Sequence, residues 1–188
     1  MFRTRILFAL AMAGVVAALV CTVPAHAQNQ TDVFQVAYYS GGNTSNGVPA
    51  VEGTTRIINT GTSGEWVCAD IYVFDPHEEL KECCSCPVSA DGLLTIPTAS
   101  LTDNPANGVF STSGVIKIVS DQYPNCDAAN PVPTPEIRSW ITNPNGRPTT
   151  VTEAEYELTP LSAAELSALA LQCSFIPNQS GPGVCRCY

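Results

Sequence analysis

Residues 32 to 39 alternate between polar and apolar, with Phe34, Val36 and Tyr38 on one face, the period of a half-buried strand. A glycine- and asparagine-rich stretch from Gly41 to Gly47 then reads as a loop. Thr54 to Asn59 is rich in β-branched residues and predicts a second strand. After the turn residues Gly61 to Gly64, the run from Trp66 to Phe74 is apolar on both faces, as in a central strand covered on both sides. Asp70 is its exception, and a carboxylate buried there needs partners. Asp75-Pro76-His77-Glu78 combines a capping acceptor, a proline and acids, which predicts a short helix ending before Cys83. Asp91-Gly92 precedes an expected strand from Leu93 to Leu101, placed at an edge by Pro97. Gly114 to Ser120 predicts a further strand.

The second half changes character. Asn130 to Pro135 is a proline-rich connector, and Thr134-Pro135 predicts a short helix with Ile137, Trp140 and Ile141 on one side. Val151 to Leu158 alternates so that Glu153, Glu155 and Glu157 share a face. A solvated edge strand explains that stripe better than a cation site does. Ser162 and Glu165 have capping-box spacing, and Leu166, Leu169, Ala170 and Cys173 form an apolar stripe suited to docking on a sheet. Strands dominate as far as residue 120 without strand–helix alternation. The expected fold is therefore mainly β, an antiparallel sandwich with short peripheral helices, stapled by disulfides; an open α+β arrangement is the alternative.

The amino terminus adds a compartment. Arg3 and Arg5 precede an uncharged run from Ile6 to Val20, and Ala25-His26-Ala27 stands before Gln28, the three zones of a secretory signal peptide. Residues 1–27 are expected to be removed, leaving 28–188 as one mature domain outside the cytoplasm, secreted, periplasmic or at the cell surface. The run is shorter than the ~20 residues that cross a bilayer, and Val20 is a poor neighbour for lipid attachment at Cys21. With the segment go two of the eight basic residues, leaving six against 17 acids and a formal charge of −11. Nucleic acid and anionic lipid are excluded as partners by that charge, and no span is expected after signal removal.

Eight cysteines remain: Cys68, Cys83, Cys84, Cys86, Cys126, Cys173, Cys185 and Cys187. An even number in an exported chain reads as a framework of up to four disulfides. Neighbouring Cα atoms lie about 3.8 Å apart, below the usual disulfide span, so Cys83 and Cys84 are expected to pair elsewhere. In an extended segment Cys84 and Cys86 share one face and Cys83 takes the other, while Cys185 and Cys187 share a face. Thiolate ligation of zinc or a cluster, and an exchangeable redox bond, are the rivals of structural bridges.

Catalytic chemistry finds no local signature. His77 is the sole histidine after residue 27 and sits among acids, which reads as solvated surface rather than a triad. No nucleophile elbow, zinc-protease pair, phosphate loop or dinucleotide fingerprint occurs. Carboxylate pairs of the glycosidase kind and weak calcium sites carry no such signature and stay open. No catalytic, cofactor or metal residue is assigned.

Arg56 to Gly64, Cys68 to Asp75, Glu79-Leu80-Lys81-Glu82-Cys83-Cys84-Ser85-Cys86-Pro87-Val88, Gly114 to Ser120 and Gln172 to Ile176 together resemble a group of uncharacterised secreted bacterial proteins. The resemblance covers most of the mature chain and implies export and disulfides, with no activity attached. The expectation for function is a non-catalytic secreted or cell-surface binding or structural domain, one that binds a protein, a glycan or its own kind. An extracytoplasmic enzyme, either a carboxylate-based hydrolase or a thiol oxidoreductase, is the alternative.

Overall fold

The computed structural model describes residues 33–40, 53–104, 109–144, 151–176 and 187. The expected signal peptide, the loop from Gly41 to Gly47 and Cys185 lie outside the described residues. All the described residues belong to one unit, Thr31–Tyr188.

Eleven strands and two helices are described, in the order β1 Phe34–Ser40, β2 Thr54–Asn59, β3 Val67–Phe74, β4 Leu80–Val88, β5 Leu93–Pro97, α1 Thr98–Thr102, β6 Asp103–Asn104, β7 Val109–Phe110, β8 Ser113–Gln122, β9 Ile137–Pro144, β10 Val151–Glu155, β11 Glu157–Leu158 and α2 Ala163–Ser174. A five-stranded sheet has the order β11-β1-β8-β3-β4, and a four-stranded sheet has the order β10-β9-β2-β5. Their pairings are antiparallel, and β6 and β7 form a small ribbon. The fold is a mainly β antiparallel sandwich with short helices.

Two apolar layers explain the stacking. Ile57, Leu94, Ile96, Ile137 and Ile141 of the smaller sheet pack with Ala69, Ile71, Val73, Ile116 and Ile118 of the larger one. On the opposite face of the larger sheet, Phe34, Tyr72, Cys83 and Val119 pack with Leu169 and Cys173 of α2. The larger sheet is thus sandwiched between the smaller sheet and a helix, and every residue of β3 is buried. That is why its sequence is apolar on both faces. Gln35 Nε2, fully buried, donates to Ile137 O at 2.6 Å and links the sheets across the interior.

The sheets also join along one side. β10 is an edge of the smaller sheet and β11 an edge of the larger, and the single residue between them, Tyr156, is 2 % exposed. Its hydroxyl lies 3.1 Å from Thr55 Oγ1, and its N–H donates to Ser139 O. Burial pushes the Tyr156 phenol well above the ordinary tyrosine range, against the opposing effect of its hydrogen bond with Thr55. The expected Val151 to Leu158 strand is therefore two edge strands in two sheets. Glu153 and Glu155 lie 3.6 and 3.8 Å from Arg56 and Arg138.

Three expectations are corrected. The Asp75 to Glu78 segment is a turn, not a helix: Asp75 Oδ1 accepts from the N–H groups of His77 and Glu79, Glu78 has φ 64°, and β4 begins at Leu80. Residues 137–141 are strand, not helix, because β9 pairs with both β2 and β10 and buries Ile137, Ser139 and Ile141 on alternate positions. The Leu93 strand ends at Pro97, where α1 begins, although β5 does lie at a sheet edge.

Disulfides join Cys68 to Cys126, Cys83 to Cys173 and Cys86 to Cys187, with Cα separations of 5.4, 5.8 and 5.5 Å. All three separations fall within the usual span, and Cys84 is disulfide-bonded as well. Because β4 is extended, Cys83 faces α2 while Cys84 and Cys86 face the smaller sheet. With these sulfurs oxidised in bridges, thiolate ligation of a metal by the Cys-Cys-x-Cys block is not what the fold uses them for.

Candidate ligand cleft

The end of β3, the middle of β8 and the first turns of α2 converge on a cleft of about 360 Å³, lined by Phe74, Val115, Lys117, Glu165 and Leu169 with Asp75 and Glu78 of the β3–β4 turn. Register explains the grouping. Phe74 opposes Val115 and Tyr72 opposes Lys117, so Lys117 shares the α2 side of the sheet with Phe74. On β8's other flank Val115 opposes Tyr38, which is 78 % exposed and extends the apolar surface along the sheet.

The helix wall is set by its cap. Ser162 is extended, and its Oγ accepts from Glu165 N–H at 3.0 Å, as the cap spacing predicts. The Glu165 carboxylate does not complete a reciprocal box; it takes Lys117 Nζ at 2.5 Å instead. The same ammonium stands 5.0 Å from the Phe74 ring centroid, in cation–π range. Lys117 thereby ties helix to sheet and forms part of the cleft.

Asp75 closes one end. Burial alone raises its carboxyl, but hydrogen bonds from Glu79 N–H, the Lys81 ammonium and His77 N–H leave it below the usual carboxylate range. Lys81 lies 3.0 Å from Asp75 Oδ2 and 2.5 Å from Glu79 Oε2, and these contacts, Glu79 foremost, raise its own pKa. His77 is exposed in the same turn and contributes only its backbone N–H to Asp75.

A second polar group lies deeper on the α2 side of the larger sheet. Asp70 and Asp121 are both fully buried, and their carboxyls are within hydrogen-bonding reach of each other. Ser85 Oγ donates to Asp70 Oδ1, while Asp121 Oδ1 accepts from Gln122 N–H at 2.7 Å and from Val132 N–H. Burial, then the neighbouring charge of Asp121, raises Asp70 well above the usual range. Burial also raises Asp121, against its two backbone hydrogen bonds. Asp70 Oδ2 and Asp121 Oδ2 have no hydrogen-bond partner, and a proton shared between the two carboxyls would relieve both. Neither carboxyl reaches the surface.

At the far end of the larger sheet, Trp66 and Tyr123 flank the Val67–Gln122 pair with ring centroids 5.6 Å apart, and both rings are about half exposed. The Cys68–Cys126 bridge anchors the segment that carries Tyr123.

Among the described residues no group of three or more histidine, cysteine or acidic side chains could hold a metal ion, and no helix is long and apolar enough to cross a membrane. Sequence reasoning missed Lys117 as a site residue and read Glu165 only as a cap. A lysine inside the apolar run Val115 to Val119 was the available signal.

No family model and no curated protein matches the chain. Among solved structures the chain is similar to the Anabaena sensory rhodopsin transducer, at 17% identity and a TM-score of 0.40, over 65% of this chain and 94% of that one.

Proposed function

We propose that this protein is a non-catalytic binding domain that works outside the cytoplasm, secreted or at the cell surface, and that it takes its ligand in the cleft between α2 and the larger sheet. The observation that carries this reading is the cleft's composition: an apolar floor of Phe74, Val115 and Leu169 under a few convergent charged groups, in a volume of about 360 Å³. Small-molecule sites have this character and size. The disulfides support the placement outside the cytoplasm, since such bonds persist in oxidising compartments. They also hold the cleft walls in place, because Cys83–Cys173 bolts α2 to the sheet that forms the floor. The half-exposed Trp66–Tyr123 pair supports a macromolecular partner, protein or glycan, at the other end of the sheet.

The test is a fragment screen by ¹⁵N NMR on the purified, oxidised protein exported by a bacterial host. The expected result is a set of hits that shift the amides of Phe74, Val115 and Leu169, on a chain beginning at Gln28. A screen whose hits never reach those amides would refute the cleft, and a retained leader would refute the export.

A further inference from the structure

We infer that the cleft takes a small amphipathic organic cation, a primary ammonium on a short apolar chain; this rests on the cleft being a ligand site and names its ligand class. Lys117 shows what the cleft accommodates. Its ammonium lies 5.0 Å from the Phe74 ring centroid and 2.5 Å from Glu165 Oε1. An aromatic face and a carboxylate around one ammonium are the elements by which proteins recognise organic cations.

The charge count decides the sign of the ligand. Asp75 is matched by Lys81 and two backbone N–H groups, so it has little capacity left. Lys117 is matched by Glu165. Glu78 lines the same cleft, is exposed, and has no ion-pair partner among the described residues. Lys81 is shared with Glu79, so the cleft and its turn carry two more acids than bases, and Glu78 stands unpaired at the rim above a floor of Phe74, Val115 and Leu169. An anion would find Lys117 already neutralised and Glu78 opposing it. A cation would find Glu78 open, and the acidic surface as a whole attracts it.

The experiment uses an isosteric series, pentylammonium, 1-pentanol and pentanoate, titrated into the oxidised protein at low salt and followed by amide shifts. Pentylammonium should perturb Phe74, Val115 and Leu169 most strongly. Glu78→Gln, a change at an exposed turn residue, should weaken it by up to about fivefold, the effect of one exposed ion pair. Lys117→Met should tighten it, because Glu165 is released from its internal partner. A melting curve for each variant shows that it is folded. Cleft shifts with pentanoate or pentanol but not with pentylammonium would overturn the cation assignment and leave the cleft reading standing. Silence from all three probes would overturn the cation assignment, and the fragment screen then decides the cleft itself. Nα-acetyl-lysine methylamide is run alongside, and tighter binding of that probe would move the ammonium to a partner protein's side chain and overturn the small-molecule assignment.

Discussion

Asp70 on β3 and Asp121 on β8 present their carboxyls to each other in the interior, the first held by the Ser85 hydroxyl and the second by two backbone N–H groups. The Asp121 bonds pin Val132, so the pair also fastens the segment that returns beside β8.

This arrangement gives a pH dependence with a definite sign. The folded pKa of Asp70 lies above its unfolded value of about 3.9, so the folded state binds the proton more tightly. Its contribution to stability is full below about pH 4 and is lost as pH rises toward the folded pKa. Asp70→Asn keeps a donor toward Asp121 and an acceptor for Ser85 without the ionisation. Urea unfolding should find it more stable than wild type at pH 8, with the advantage shrinking at pH 4. Ser85→Ala, which strips Asp70 Oδ1 of its donor, should cost about 1–3 kcal/mol.

Ser162 gives a test of the helix start. Its hydroxyl oxygen serves the Glu165 N–H, which otherwise stays unpaired at the helix end. Ser162→Ala should lower stability by about 1 kcal/mol in chemical denaturation. An unchanged midpoint would contradict the cap.

Replacing both Cys83 and Cys173 by alanine removes the bolt between β4 and α2 without leaving a free thiol. Loss of one native bridge commonly costs about 2–5 kcal/mol. The expected local readout is faster amide exchange in α2 than in β3, whose neighbours on both flanks are strands. Uniform exchange throughout would mean that the helix does not depend on this bond.

Tyr156→Phe keeps the ring in the seam between the sheets and deletes only the hydroxyl that meets Thr55. A cost near 1 kcal/mol is expected from the lost hydrogen bond, against about 3–5 kcal/mol for removing a buried aromatic ring in Tyr156→Ala. Similar costs for both would mean that the ring is not packed.

His77→Ala should change stability by less than about 0.5 kcal/mol, because the side chain is exposed and its contribution to the turn is a backbone N–H. A larger loss in thermal melting would show that the imidazole is in use.

Much of this fold is legible one strand at a time. The two-faced apolar run of β3, the edge position of Pro97 and the Ser162 cap follow from local rules that the tertiary structure does not override. The misreadings have equally local causes. A helix cap and an Asx-type turn both begin with an aspartate accepting from N–H groups just ahead of it, so Asp75-Pro76 satisfies either. Ile137 and Ile141, four residues apart, fit a helical stripe and a strand face alike, and buried Ser139 between them hides the alternation. The cleft carries no local mark because its walls come from segments far apart in the chain; Lys117 and Glu165 are 48 residues apart.

The way the strands interleave bears on the birth of the protein. β1 pairs with β8 and β11, β2 pairs with β9, and the bridges close spans of 58, 90 and 101 residues. Neither sheet can be finished before the last third of the chain is available, since β9 is needed beside β2 and β11 beside β1. Such non-local pairing places folding toward the slow end, about milliseconds to seconds, because distant segments must meet before these pairings reward them. A nascent chain of this topology can close its β3–β4 hairpin early, but the seam at Tyr156 that joins the two sheets waits for the final stretch of synthesis.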